Sequence, residues 1–327
     1  MDIIMIVVGL LLLFIGGEFL VRGSVQISKH LGISTILIGV IVVGFGTSTP
    51  ELLVSIKASL TGESDIALGN IVGSNIANIL LILGLASVIT PIVCDDKAIK
   101  RDSFAVLISS ILLIIFSYFQ IINRIEGLIM FSCLIMYLIY SYKMEKKDKA
   151  LAIISKFVKT AHEQEAKEFI DGMSFSVSLF VSISGIIMLF FGADFLVQGA
   201  SSIARKLGIS EAVIGLSLVA VGTSLPELAT AISASIKKNS DVVIGNVLGS
   251  NLFNILGILG ITSLIKPINV NTQIADFDIP FTLGISIFSL FMIFLFKKFD
   301  RMIGAILLIS YVFYITFMYL NGNITFK

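Results

Sequence analysis

Apolar residues run along almost the whole chain in stretches of about 20, separated by short polar breaks. Wound as a helix, such a stretch crosses roughly 30 Å of hydrocarbon. Ten stretches can be marked, at 3–21, 34–60, 66–90, 103–121, 125–142, 174–198, 210–236, 241–265, 279–296 and 302–320. The one long polar segment, 143–172, holds Lys143, Lys146, Lys147, Lys149, Lys156, Lys159 and Lys167 and reads as a solvated linker. The pattern predicts an all-α polytopic membrane protein. Its organisation would be a first unit 1–142, the linker 143–172 and a second unit 173–327.

The polar breaks repeat. Gly16-Gly17-Glu18-Phe19-Leu20-Val21 returns as Gly192-Ala193-Asp194-Phe195-Leu196-Val197, and Gly69-Asn70-Ile71-Val72-Gly73-Ser74-Asn75 as Gly245-Asn246-Val247-Leu248-Gly249-Ser250-Asn251. Each residue i matches i+176 without a gap over this region. Five spans per half is an odd number, so the second half enters the membrane upside down. The expected architecture is therefore ten transmembrane helices as two inverted five-helix repeats, an arrangement found in secondary transporters with the site at the midplane between the halves.

Composition agrees: 56% of the 327 residues are hydrophobic and 14% charged, where soluble domains carry about 25% charged residues. A net charge of +1 implies no partner, but the placement of the charges is informative. With the central loop cytoplasmic, Arg22, Lys29, Lys97, Lys100, Arg101, the loop lysines, Lys237, Lys238, Lys297, Lys298 and Arg301 all lie inside. Only Lys57, Arg124, Arg205, Lys206, Lys266 and Lys327 remain outside. The positive-inside rule then puts both termini outside a cell (inner) membrane. Cys94 and Cys133 form no spacing motif and read as small apolar groups. The first stretch begins at Ile3 without a basic region or cleavage site, so it reads as a retained helix. The expected partner is the lipid bilayer, with no nucleic acid and no obligatory protein partner.

Polar groups inside these spans need a reason. Pro50 lacks an N–H and crowds the carbonyl of Gly46; Pro226 does the same to Gly222. The second and seventh helices should break there, near the midplane, freeing backbone carbonyls as acceptors. Thr47, Ser48 and Glu51 can share one helical face, as can Thr223, Ser224 and Glu227. In the third span Asn70, Ser74 and Asn78 recur at four-residue spacing, and in the eighth Asn246, Ser250 and Asn254. Glycines and amides in membrane helices can serve packing alone. Two midspan glutamates with no basic residue nearby in their own spans cannot be dismissed so, and call for a proton, a metal or a cavity. The donors are hard oxygens, which suit Ca2+ or Na+ rather than zinc or copper. An intramembrane hydrolase lacks a metal-activating His or a nucleophile, and no Gly-rich phosphate loop suggests ATP drive.

Gly46-Thr47-Ser48-Thr49-Pro50-Glu51 with Gly69 to Asn78, and Gly222-Thr223-Ser224-Leu225-Pro226-Glu227 with Gly245 to Asn254, resemble the two alpha repeats of the calcium/cation antiporter superfamily, most closely its prokaryotic sodium/calcium exchangers. The resemblance implies no enzyme and no cofactor, but antiport of Ca2+ for Na+ by alternating access. Ca2+/H+ exchange or K+-dependent exchange at the same site is the alternative. It implies helices 1 and 6 sliding against the other eight. It also implies a ligand set of Glu51, Glu227, Thr47, Ser48, Ser74, Asn78, Thr223, Ser224, Ser250 and Asn254, with the carbonyls of Gly44 and Ala220. Asn254 departs from the aspartate that many sodium/calcium exchangers carry there, which leaves two acids at the centre.

Overall fold

A computed structural model describes residues 2–159, 173–206, 220–272 and 274–324. In chain order its helices are α1 (Asp2–Leu31), α2 (Thr35–Thr47), α3 (Thr49–Thr61), α4 (Ser64–Ile89), α5 (Lys97–Ser117), α6 (Arg124–Lys159), α7 (Phe175–Lys206), α8 (Ala220–Thr223), α9 (Leu225–Ile236), α10 (Ser240–Ile265), α11 (Ile274–Leu295) and α12 (Arg301–Ile324). Seven of them, α1, α4, α6, α7, α10, α11 and α12, are each long and apolar enough to span a membrane, and α2 with α3, bent by 44° at Ser48, make an eighth. The expected fourth span, 103–121, overlaps α5, which ends at Ser117 and, with Lys97, Lys100, Arg101 and Asp102 in its first turns, is not among the helices long and apolar enough to span. The expected seventh falls partly on 210–219, outside the described residues; its remainder is α8 and α9, which meet at Ser224.

Local chemistry sets the ends. Gly32 (φ 63°) and Gly62 (φ 91°) take the left-handed conformation that closes α1 and α3. Ser34 caps α2 through Leu37 N–H at 3.0 Å, and Asp96 caps α5 through Ala98 N–H at 2.6 Å. α6 continues past 142 to Lys159. On that extension buried Glu145 accepts both the backbone N–H (2.8 Å) and the hydroxyl (2.7 Å) of Ser34, fastening α6 to the start of α2.

Among the described residues the regular structure is helical except for two short antiparallel pairs at helix junctions, β1 (Ile92–Val93) with β4 (Lys298–Phe299) and β2 (Ile121–Ile122) with β3 (Ile268–Asn269). These pairs are counterparts across the repeat: β1 maps onto β3 at i+176, and β2 onto β4 with a shift of one residue. The hydroxyls of Ser110 and Ser286, equivalent positions, lie 3.3 Å apart on the pseudo-twofold axis.

Burial separates centre from rim. The membrane-spanning window of α10 is 100% buried and that of α4 78%, against 28% for α1 and 28% for α7. α1 and α7 pack on each other through glycines seven residues apart. A Cβ at Gly9 would sit 2.8 Å from the Gly192 carbonyl oxygen, and one at Gly16 2.9 Å from that of Gly185. Only glycine admits so close a backbone approach. Wide π turns interrupt α2 at Gly39–Gly44, α4 at Asn78–Leu83 and α10 at Phe253–Ile258, beside the conserved spacing of polar residues within the chain's own two halves.

Candidate ion-binding site

The Pro50 and Pro226 breaks bring Glu51 and Glu227 to the first turns of α3 and α9, each preceded by its hydroxyl pair. Both carboxylates are 1% exposed. The halves cross over at this point. Ser48 of the first half donates to Glu227 Oε1 at 2.8 Å, and Ser224 of the second donates to Glu51 Oε1 at 3.3 Å. Ser224 and Ser74 hydroxyls are 3.3 Å apart. The two acids thus lie in one cluster, joined through the serines of the opposite repeat.

Behind them the amides brace the broken helices. Asn70 Nδ2 donates to the Glu51 backbone carbonyl at 3.2 Å and Asn246 Nδ2 to that of Glu227 at 3.1 Å. Thr47 reaches Asn246 Oδ1 and Thr223 reaches Asn70 Oδ1, both at 3.3 Å. Asn78 Nδ2 donates to Asn251 Oδ1 at 2.9 Å, and Asn254 Nδ2 to Asn75 Oδ1 at 3.0 Å, so α4 and α10 are clasped by four asparagines. The Gly44 carbonyl receives Ser48 N–H at 3.1 Å and lies 3.5 Å from the Ser250 hydroxyl. Ala220 opens α8.

Of the expected ligand residues with described side chains, Ser48 and Ser224 reach the two glutamates and Ser74 reaches Ser224, while Asn78 and Asn254 lie in the asparagine clasp. Four buried oxygens of these residues have no hydrogen-bond partner, Oε2 of Glu51, Oε2 of Glu227, Oδ1 of Asn78 and Oδ1 of Asn254, and beside them the Nδ2 donors of Asn75 and Asn251 have none either. All four are acceptors, and no basic side chain pairs with either acid among the described residues. Burying a carboxylate without a counter-charge is strongly unfavourable. Among the described residues no three His, Cys, Asp or Glu are grouped as they would be to hold a metal ion.

Asn75 and Asn251 had no place in the expected ligand set. They belong to the repeated stretch, but one residue after Ser74 and Ser250 they fall off the four-residue stripe, so helical spacing alone did not reveal their part. Their carbonyls orient Asn78 and Asn254, leaving the oxygens of the latter free.

A family model described as sodium/calcium exchanger protein matches residues 1–143 and 177–320. The chain belongs to the sodium/calcium exchanger family. Sodium/calcium exchanger MaX1 of Methanosarcina acetivorans is 31% identical over 97% of this chain and 98% of its own. Inner membrane protein YrbG of Escherichia coli is 35% identical over 80% and 79%. The sodium-calcium exchanger NCX_Mj, solved after soaking with 2.5 mM Na+ and 0.1 mM Ca2+, superposes with a TM-score of 0.82 at 31% identity, covering 96% of this chain and 97% of that one. Its form soaked with zero Na+ and Ca2+ gives 0.82 at 30% identity. The residues matched by the family model include Ser48 and Ser224, where the two helices break.

Proposed function

We propose that the crossed cluster binds Ca2+ and Na+ in alternation. Membership of the family makes the protein a sodium/calcium antiporter of the membrane rather than an enzyme, and the family implies no cofactor. The observation that carries the site is the set of four buried acceptor oxygens without donors. Glu51 and Glu227 supply the charge. Asn78 and Asn254 supply amide oxygens; Thr47, Ser48, Ser74, Thr223, Ser224 and Ser250 supply hydroxyls that can turn their lone pairs inward; the Gly44 and Ala220 carbonyls complete the set.

Two carboxylates balance one Ca2+ or about two Na+ by Coulomb's law, and Asn254 adds no third charge. An empty site would strand both anions in low dielectric, so the unloaded carrier does not readily cross between its two open states. Loaded with either ion it does, and exchange becomes obligatory. The units 1–142 and 173–327 act as the two inverted repeats around this centre, ten helices in all, with the 143–172 segment joining them in the cytoplasm and both termini outside.

Na+-driven uptake of radiolabelled Ca2+ into proteoliposomes tests the assignment. Glu51→Gln and Glu227→Gln should each abolish uptake in protein that still elutes as a folded species; full exchange by either variant would end it. Imposing Na+, K+ and pH gradients separately identifies the driving ion.

A further inference from the structure

Helices α1 and α7 are counterparts, yet they sit differently on the rest of the molecule. α1 lies on α9. A Cβ at Gly17 would come 2.9 Å from the Ala229 carbonyl oxygen. One residue on, Glu18 Oε1 takes the Lys237 ammonium at 2.6 Å, Glu18 Oε2 accepts from the Ser233 hydroxyl at 3.4 Å, and Arg22 bonds the same carboxylate from the next turn.

The repeat maps Gly17 and Glu18 to Ala193 and Asp194 on α7, and Ala229, Ser233 and Lys237 to Leu53, Lys57 and Thr61 on α3. That second contact is not made among the described residues. Leu53 is 53% exposed. Lys57 is exposed, and Asp194 is bonded to Gln198 of its own helix at 2.8 Å.

We propose that the transport cycle exchanges the Glu18–Lys237 ion pair for one between Asp194 and Lys57. The inference rests on the antiport reading above. In a carrier built from inverted repeats, the opposite access state arises when one repeat takes the arrangement that the other has left, around a fixed site. Applied here, α7 comes down on α3, and Asp194 arrives where Glu18 now stands relative to α9. The acid keeps its register. The base does not: Lys57 occupies the position of Ser233, one helical turn before that of Lys237, and Thr61 stands where Lys237 would. Each state thus has one acid and one base within reach, although sequence alignment pairs neither base with the other. The steric fit differs too. Gly17 on Ala229 is a contact of two small residues, whereas Ala193 on Leu53 sets a methyl against a bulky side chain. The chain therefore favours the arrangement described here, and the opposite closure depends more on its ion pair.

Crosslinking decides it. In a Cys94→Ser, Cys133→Ser background, Glu18→Cys with Lys237→Cys forms the first pair and Asp194→Cys with Lys57→Cys the second. Full-length protein in proteoliposomes is treated with a short, cleavable bifunctional thiol reagent in Na+, in Ca2+ and in neither. Both pairs should crosslink, each stopping Na+-driven Ca2+ uptake until the link is cleaved. A second pair that never joins, in protein whose first pair joins and which still exchanges, overturns the proposal. Joining of the second pair without any Na+-driven uptake would uphold the movement and remove the antiport reading instead. Independently, Lys57→Glu should slow exchange roughly fivefold, as loss of an interaction near 1 kcal/mol does, and adding Asp194→Lys should restore it. Additive losses with no rescue would count against the pair.

Discussion

Ser48 reaches Glu227 and Ser224 reaches Glu51 across the centre of the molecule, while at its rim Glu18 holds Lys237 and its counterpart Asp194, among the described residues, accepts from Gln198. The centre obeys the repeat and the rim departs from it. An ion arriving from either face of the membrane must meet the same ligands, so the four central segments gain from equivalence. The elements that close one face at a time must be unequal in any single state. The crossed serine–glutamate pairs mark the centre that both halves build alike, and the one-sided Glu18–Lys237 pair marks where the halves differ in this structure.

The largest effect expected from this comparison is at the acids. Glu51→Gln and Glu227→Gln should each lower Na+-driven Ca2+ uptake by at least about 100-fold, on the scale of losing a principal charge at a site. The two losses should be similar; a variant that keeps most of its activity would show that the centre is less symmetric than its hydrogen bonds. Next comes the α1–α7 seam. Gly16→Leu and Gly192→Leu should destabilise the detergent-solubilised protein by about 1–3 kcal/mol, the usual range for overpacking, read as a lower temperature of fluorescence-detected aggregation. Unchanged stability would mean the two helices can separate without cost.

Smaller again is the asparagine clasp. Asn75→Leu removes the acceptor that holds Asn254, and Asn251→Leu the one that holds Asn78. Each should weaken apparent Ca2+ affinity roughly tenfold, or about 1.4 kcal/mol, with less effect on maximal rate. An effect on thermal stability alone would make the clasp merely structural. The smallest expected change compares Gly62 with its counterpart Lys238, both at positive φ, 91° and 59°. Lys238→Gly should stabilise the protein by up to about 1 kcal/mol, since the left-handed conformation costs a side-chain-bearing residue more than glycine. A loss of stability would show that the lysine side chain outweighs the backbone strain.

Much of the architecture was legible without coordinates. Apolar runs fix how a chain can lie in lipid, because every backbone amide there must bond within a helix. The Gly-Thr-Ser-x-Pro-Glu stretches announced the breaks, because proline removes one helical bond wherever it stands. Helix ends were less legible. α6 runs past 142, and on that extension Glu145 docks on Ser34, 111 residues away, a contact no local pattern contains. The short strand pairs join segments that only the closed fold brings side by side.

The amino-acid sequence alone determined the inverted duplication, the helix breaks at Pro50 and Pro226, and the oxygen-rich residue types that face each other, since all three follow from spacing and from what hydrocarbon tolerates. Only the tertiary structure decided that each serine serves the other half's glutamate, that Asn75 and Asn251 aim the ligand amides, and that α1 rather than α7 is the helix now clamped. Those are relations between residues some 150 to 220 positions apart, set by how the two halves interlock, and periodicity along one helix carries no record of them.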